Sequence, residues 1–230
     1  GATEVKPTTI AGDFSLVPPV LVDTGSVAQD GTRYWALALT EKSADRQLWA
    51  LPFDAAGAEK SPVAWLDSAS GVGATVLGGV SAVCGLDAAY DAGSGETAVV
   101  LSTRLDGGQF DLDDRLELVV FGANGVKQTA SIVANGTTAT EDACHYGVTA
   151  ARIARGEGGW HVSYYAPASA QSSGPPKLAF VADGGAPVSA NLAMPAAAGT
   201  DADSAASVPP LAWRGLGDIV VGADGAASVT

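Results

Sequence analysis

The stretch Gly95–Gly125 reads G-E-T-A-V-V-L-S-T-R-L (95–105), then an acidic segment, then R-L-E-L-V-V-F-G-A-N-G (115–125). Its two apolar runs are rich in β-branched residues and are bounded by glycine and other turn-forming residues, which is typical of β-strands joined by turns. The stretch therefore predicts an antiparallel β-hairpin. Related segments lie on both sides of it and extend the prediction to most of the chain.

On the N-terminal side, Tyr34–Thr40 matches Thr97–Thr103 at a numbering offset of 97 − 34 = 63. The segment Leu48–Gly57 matches Leu116–Gly125 without a gap, at an offset of 116 − 48 = 68. Other predicted strands precede or follow these pairs: Thr8–Val17, Leu21–Asp30, Pro62–Leu66, Val80–Asp91 and Lys127–Val133. The chain up to Val133 therefore reads as two copies of a four-stranded unit.

On the C-terminal side, a third copy begins with Ala143–Arg155, and Trp160–Ala166 follows Thr97–Thr103 at the offset 160 − 97 = 63. Its third and fourth strands are predicted at Lys177–Gly185 and Val188–Met194. After an Ala-, Asp- and Ser-rich insertion, Gly217–Val221 is placed as the second strand of a partial fourth copy. Repeats of about 60 residues are typical of propellers and solenoids.

These four-stranded units resemble the blades of β-propellers, whose faces are buried by neighbouring blades. The predicted fold class is thus all-β, a propeller-like array of antiparallel blades forming a single domain over residues 1–230. The blades are placed at about 20–70, 75–135 and 140–195, with a partial blade at 205–230. The alternative is a β-sandwich, since half-buried strands resemble one another. The motifs that mark particular propeller families are missing from the sequence.

The number of blades bears on partners, because a ring with an open end exposes apolar blade faces. A second chain that supplies the missing blades is the favoured explanation, since the sequence stops within a blade. A homo-oligomer of half-propellers is another. The third is a closed four-bladed ring, in which Thr8–Val17 completes the last blade.

Composition narrows the classes of partner and location. The formal net charge of −13 disfavours nucleic-acid binding, because an acidic surface repels phosphates. The sequence has no apolar run of about 20 residues, so no membrane span is predicted. The Gly1-Ala2-Thr3 start is compatible with a removed signal peptide, and a secreted or periplasmic location is expected. Frequent alanine with scarce lysine points to a bacterial source.

One short motif suggests catalysis. Val20–Ser26 reads V-L-V-D-T-G-S and resembles the active-site loop of pepsin-type aspartic proteases. That resemblance implies Asp23 as a catalytic carboxylate, sharing a proton with a second one. No second D-T-G or D-S-G follows in the sequence, so the alternative interpretation is an Asp–Gly turn in the first blade.

Two further features bear on metals. The segment Asp106–Asp114 reads D-G-G-Q-F-D-L-D-D and supplies many oxygens, which makes calcium a low-ranked candidate cofactor. It does not fit the EF-hand pattern, however, and a solvated loop is preferred. His145 beside Cys144 invites a metal or nucleophile role, but the other histidine, His161, lies in a different predicted strand.

Cys84 and Cys144 are the two cysteines, and they occupy the predicted first strands of consecutive copies. Those strands neighbour each other in a propeller, so a disulfide between them is one expectation and two buried thiols the other. The aromatic residues Trp35, Trp49, Trp65 and Trp160 lie within predicted strands and are expected to fill sheet interfaces.

The sequence thus predicts an exported binding or assembly module, with no catalytic, cofactor-binding or metal residue assigned. Whether it is an enzyme stays open, with a lean against it. The alternative is part of a propeller hydrolase acting on sugars or peptides, since loops of several blades meet around a propeller axis.

Overall fold

The structure is a computed structural model. It describes residues 14–15, 19–28, 30–42, 45–106, 112–125, 128–138, 149–169, 172–191, 219–223 and 226–229. Among these residues the regular elements are fifteen β-strands, one short α-helix and one 3-10 turn. The prediction of an all-β fold is confirmed.

The first sheet is formed by residues assigned to the first blade and by the short strand before it. Its strands are β1 (Phe14–Ser15), β2 (Val20–Asp23), β3 (Thr32–Lys42), β4 (Asp45–Asp54) and β5 (Val63–Asp67). All pairings are antiparallel, in the order β1-β3-β4-β5, and β2 also pairs with β3. Because β1 and β2 both pair with β3 along the same edge, they form one interrupted first strand.

The second and third sheets are four-stranded antiparallel meanders in which spatial order equals chain order. The second sheet consists of β6 (Val80–Asp91), β7 (Glu96–Asp106), β8 (Leu112–Phe121) and β9 (Gln128–Thr138). The third consists of β10 (Thr149–Gly156), β11 (Gly159–Ser169), β12 (Ser172–Ala182) and β13 (Pro187–Asn191). A 3-10 turn, Ala123–Gly125, leads from β8 towards β9.

Registers in the three sheets agree with the offsets read from the sequence. Tyr34, Thr97 and Trp160, which the repeat aligns with one another, lie near the start of the central ladder of each sheet. Their partners across the ladder form the pairs Tyr34–Phe53, Thr97–Phe121 and Trp160–Val181. Each pair joins the second strand to the third near the same end of its sheet.

The sheets stack face to face, and the second sheet lies in the middle. Alternate residues of β7 point to opposite sides, so Val99 and Leu101 pack towards the first sheet, while Ala98 and Val100 pack towards the third. All four are fully buried. This explains why the run A-V-V-L is apolar without alternation, as expected of a strand buried on both faces.

The first strands of the sheets form one side of the stack. β2 lies beside β6, β6 beside β10, and β10 beside β14 (Ile219–Val221). β14 pairs with β15 (Ala227–Val229) in a separate two-stranded sheet. Ile219–Val221, predicted as a second strand, thus occupies the place of a first strand. The sheets follow one another as blades do, but the described residues do not close a ring.

A helix that the sequence analysis did not predict, α1 (Gly71–Leu77), connects the first sheet to the second. Val76 and Leu77 are buried in the core between these sheets. Gly73 allows the close approach, because a Cβ at this position would collide with the Asp67 backbone. No helix among the described residues has the length and apolar character needed to cross a membrane.

Several sequence predictions fall wholly or partly outside the described residues. They include Cys144, His145, the centre of the acidic segment (107–111) and the insertion at 195–207. Asp113 and Asp114, predicted in a loop, belong to β8 and pair with Leu105 and Arg104. The predicted strand Leu21–Asp30 ends at Asp23, where a turn begins. The blade boundaries stay predictions.

Candidate functional site

The first sheet has an apolar face directed away from the second sheet, which we call the outer face. Cross-strand neighbours on one face of a sheet lie on the same side. Its members come from β2, β3 and β4: Leu21, Tyr34, Ala36, Ala38, Trp49, Leu51 and Phe53. Every described residue of the hydrophobic cluster on this side belongs to β3 or β4. Among the described residues, no second sheet contributes to it.

The outer face contains an aromatic side chain with an unused donor. Trp49 is half-buried, and its indole Nε1 is shielded from water and has no hydrogen-bond acceptor in the part of the chain that the structure describes. A buried donor without an acceptor is unfavourable by about 1–3 kcal/mol. The sequence analysis expected Trp49 in a sheet interface together with Trp35, Trp65 and Trp160. Those three are buried between described sheets, whereas Trp49 lies on the outer face.

A groove of about 460 Å³ opens between the second and third sheets, and we call it the inter-sheet groove. Leu118 and Val120 of β8 and Val181 of β12 contribute apolar surface to its lining. The edge strand β9 contributes Thr129 and Ser131. Its volume lies within the range of ligand-binding clefts, about 300–1,000 Å³.

The groove borders an ion-pair network centred on Arg155. Its guanidinium makes two bonds to Asp183, at 2.6 and 2.8 Å, and its Nε lies 3.1 Å from Asp91. The guanidinium also lies 4.9 Å from the centre of the Trp160 ring. Hydrogen bonding to Asp183 raises the pKa of Arg155, and Glu96 adds to that effect. The Arg155 bonds also lower the pKa of Asp183.

Asp23 is the last residue of β2, directly before the turn that leads to β3. Its Oδ1 accepts the Gly25 amide at 2.7 Å, and its Oδ2 accepts Arg33 Nη2 at 3.0 Å. The Thr24 hydroxyl lies 2.7 and 2.9 Å from the carbonyl oxygens of Ser26 and Arg33. These contacts are those of a side-chain-stabilised turn, in which Asp23 pairs with a guanidinium. The D-T-G-S segment thus forms the turn of the alternative interpretation, and a catalytic role for Asp23 stays a prediction.

The cysteines and histidines are only partly described. Cys84 lies in β6 and is disulfide-bonded, while Cys144 is outside the described residues, so the Cys84–Cys144 pairing stays a prediction. His161 lies in β11 with its ring 5.0 Å from that of Phe180, and burial lowers its pKa. Among the described residues, no group of three or more His, Cys, Asp or Glu side chains could hold a metal ion.

A buried carboxylate that the sequence analysis did not single out is Glu117 of β8. It points into the core between the first and second sheets, and its side chain is 3% exposed. Its Oε1 lies 3.7 Å from Arg115 Nη1, and its Oε2 has no hydrogen-bond partner among the described residues. Burial raises the pKa of Glu117 to about 7, although the charge of Arg115 acts in the opposite direction.

This pKa makes stability depend on pH. The folded chain holds a proton on Glu117 more tightly than the unfolded chain, whose carboxyl titrates near 4.5. The resulting stabilisation is present below pH 4.5 and is lost as pH rises through about 7. When the pH is raised from 5 to 8, we expect the free energy of unfolding of Glu117→Gln to rise by about 1–2 kcal/mol relative to that of wild type. Urea unfolding of both proteins at both pH values measures this.

The informative quantity is the difference in unfolding free energy between wild type and Glu117→Gln, and its change from pH 5 to pH 8. Groups that titrate in both proteins cancel in this difference. The matched control is Glu157→Gln, at an exposed carboxylate in the turn between β10 and β11. It should show no such change. Equal pH dependence in wild type and Glu117→Gln would contradict a raised pKa for Glu117.

Comparison with protein-family models, with curated proteins and with solved structures finds no match to this chain.

Proposed function

We propose that this chain is an exported binding or assembly module whose outer face receives another polypeptide, either a different chain or a second copy, that continues the array of sheets. The observation that carries the proposal is the apolar outer face, to which no other described sheet contributes. Its aromatic and aliphatic residues form a surface of the kind that packs against a second sheet at about 10 Å. Leu21 is its exposed member, at 66%, whereas Ala38, Leu51 and Phe53 are at most 9% exposed. An exposed apolar side chain beside such a cluster is a place where a partner can make contact.

The other sheet faces supply the comparison. The core between the first and second sheets and the core between the second and third draw residues from both sides. The outer face has a comparable set of apolar residues, but among the described residues all of them come from the first sheet. A partner that provides a second apolar layer would complete it in the same way.

Leu21 offers the most direct test of the proposal. It is 66% exposed on β2, and it pairs with Ala36 on the outer face. We expect Leu21→Glu to weaken association by about tenfold or more, because a carboxylate would be desolvated against apolar surface. Size-exclusion chromatography with light scattering, combined with mass spectrometry of any co-purifying chain, measures association directly.

The matched control is Val188→Glu on β13 of the third sheet. Val188 is 71% exposed, so the two substitutions change a similarly exposed apolar residue to the same charge. This variant should associate like wild type. A wild-type chain that purifies from its source as a monomer, and stays monomeric at high concentration, would overturn the proposal. Equal weakening by both substitutions would overturn the assignment to the outer face.

A further inference from the structure

The inter-sheet groove joins an apolar floor to an acidic rim. Leu118, Val120 and Val181 supply the apolar lining, of which Val120 is half-buried and Leu118 and Val181 are 2% and 3% exposed. Glu96 and Asp183 line the same cavity. A groove of about 460 Å³ has room for an extended aliphatic side chain together with part of its backbone. The shape and lining therefore favour a ligand with an apolar stem.

The charge at the rim is negative after its ion pairs are taken into account. Asp91, Asp183 and Glu96 act on a single guanidinium, that of Arg155. Arg155 bonds Asp183 and Asp91 directly, whereas the Glu96 carboxylate accepts a hydrogen bond from the neutral Ser94 hydroxyl at 3.3 Å. Among the described residues, a cation entering the groove would therefore meet an excess of carboxylate, since Glu96 lines the groove and forms no ion pair.

The same lining selects among cations and excludes other ligand classes. The described carboxylates do not form a metal-binding group, so a compact metal ion lacks the ligands it needs. Trp160, the aromatic residue of the groove, is 1% exposed and cannot serve as a platform for a sugar ring. An anionic ligand would be repelled by the rim. The ligand class that fits both the apolar lining and the acidic rim is an organic cation carried on an aliphatic stem.

The edge of the groove indicates how such a cation would be presented. β9 is the last strand of the second sheet, and its residues Thr129 and Ser131 line the groove. An edge strand can pair with an added extended segment through its backbone groups. A polypeptide lying along β9 would place alternate side chains towards the groove.

We infer that the inter-sheet groove binds an extended polypeptide segment through a lysine side chain, whose aliphatic stem lies against Val120 and whose ammonium group meets Glu96. This site is separate from the outer face of the first sheet. Its test is therefore independent of the assembly proposal, and either can fail without the other.

The probes are three blocked pentapeptides, Ala-Ala-X-Ala-Ala, in which X is lysine, norleucine or glutamate. Norleucine keeps the aliphatic stem and removes the charge. Titration calorimetry at low ionic strength should show saturable binding of the lysine peptide, at least about tenfold tighter than the norleucine peptide. The glutamate peptide should not bind. n-Hexylamine, which has the stem and the charge without a backbone, should bind more weakly than the lysine peptide.

Three variants locate the site. Glu96→Gln should weaken lysine-peptide binding about tenfold, and Thr129→Trp should abolish it by filling the groove from an exposed position on β9. Asp45→Asn, at an exposed carboxylate of the first sheet, is the control and should bind like wild type. Circular dichroism confirms that each variant is folded.

Equal binding of the lysine and norleucine peptides would overturn the inference. So would an unchanged affinity in Glu96→Gln, or hexylamine binding as tightly as the lysine peptide.

Discussion

The free energy of unfolding should fall by about 3–5 kcal/mol when Trp160 is replaced by alanine. Trp160 is 1% exposed and lies in the core between the second and third sheets. Its ring also contacts the Arg155 guanidinium at 4.9 Å, which adds a cation–π interaction. Alanine would leave a cavity in a core whose members sit on rigid strands, so little of the lost contact would be recovered. Urea unfolding monitored by circular dichroism measures the change.

Trp49→Ala is the matched control, because it removes the same side chain from the outer face. At concentrations where the chain is monomeric, it should lose less than about 2 kcal/mol, since Trp49 is only half-buried and has an unpaired indole donor. It should also weaken association. Equal losses in the two variants would show that Trp49 belongs to a closed core and would count against the outer face as an interface. Trp160→Phe provides a milder variant if Trp160→Ala does not fold.

The all-β fold was predictable because its signal is local. Apolar runs such as A-V-V-L and L-V-V-F, separated by glycine turns, specify strands whatever surrounds them. The alignment of Tyr34 with Thr97 follows from the same local pattern, and both residues lie near the start of the equivalent ladder of their sheets.

Helix α1 gave no local signal. Its sequence G-V-G-A-T-V-L contains two glycines and three β-branched residues, all poor helix formers. The helix exists because Val76 and Leu77 are buried between two sheets. This contact is tertiary, and propensity cannot reveal it.

The groove and its ion pairs could not be predicted from a sequence pattern either. Asp91, Arg155 and Asp183 come from two sheets and are brought together by the way those sheets stack. Glu117 was closer to predictable. In R-L-E-L-V-V-F, alternate residues face opposite sides, and a central sheet buries both sides. A glutamate in such a strand is expected to be buried once the sheet is known to be central.

Gly125→Ala should destabilise the chain by about 3 kcal/mol or more, through two separate effects. Gly125 has a φ of +73°, a conformation that costs residues with a Cβ about 1–2 kcal/mol. A Cβ at this position would lie 2.5 Å from Trp65 Cδ1, so the ring would have to move. Trp65 is 3% exposed, and its ring centre lies 5.2 Å from Trp35 and 4.8 Å from Phe121.

Gly57→Ala separates the two effects. Gly57 lies in the corresponding turn of the first sheet, with a φ of +82°, and no atom comes within 4 Å of a Cβ built on it. It should therefore lose only the conformational part, about 1–2 kcal/mol. The difference between the two variants, measured by urea unfolding, reports the contact with Trp65, and tryptophan fluorescence should change only in Gly125→Ala. Equal losses would mean that the Trp65 ring moves away from the added Cβ at little cost in free energy. The close contact at Gly125 would then contribute nothing measurable to the stability of the core between the first two sheets.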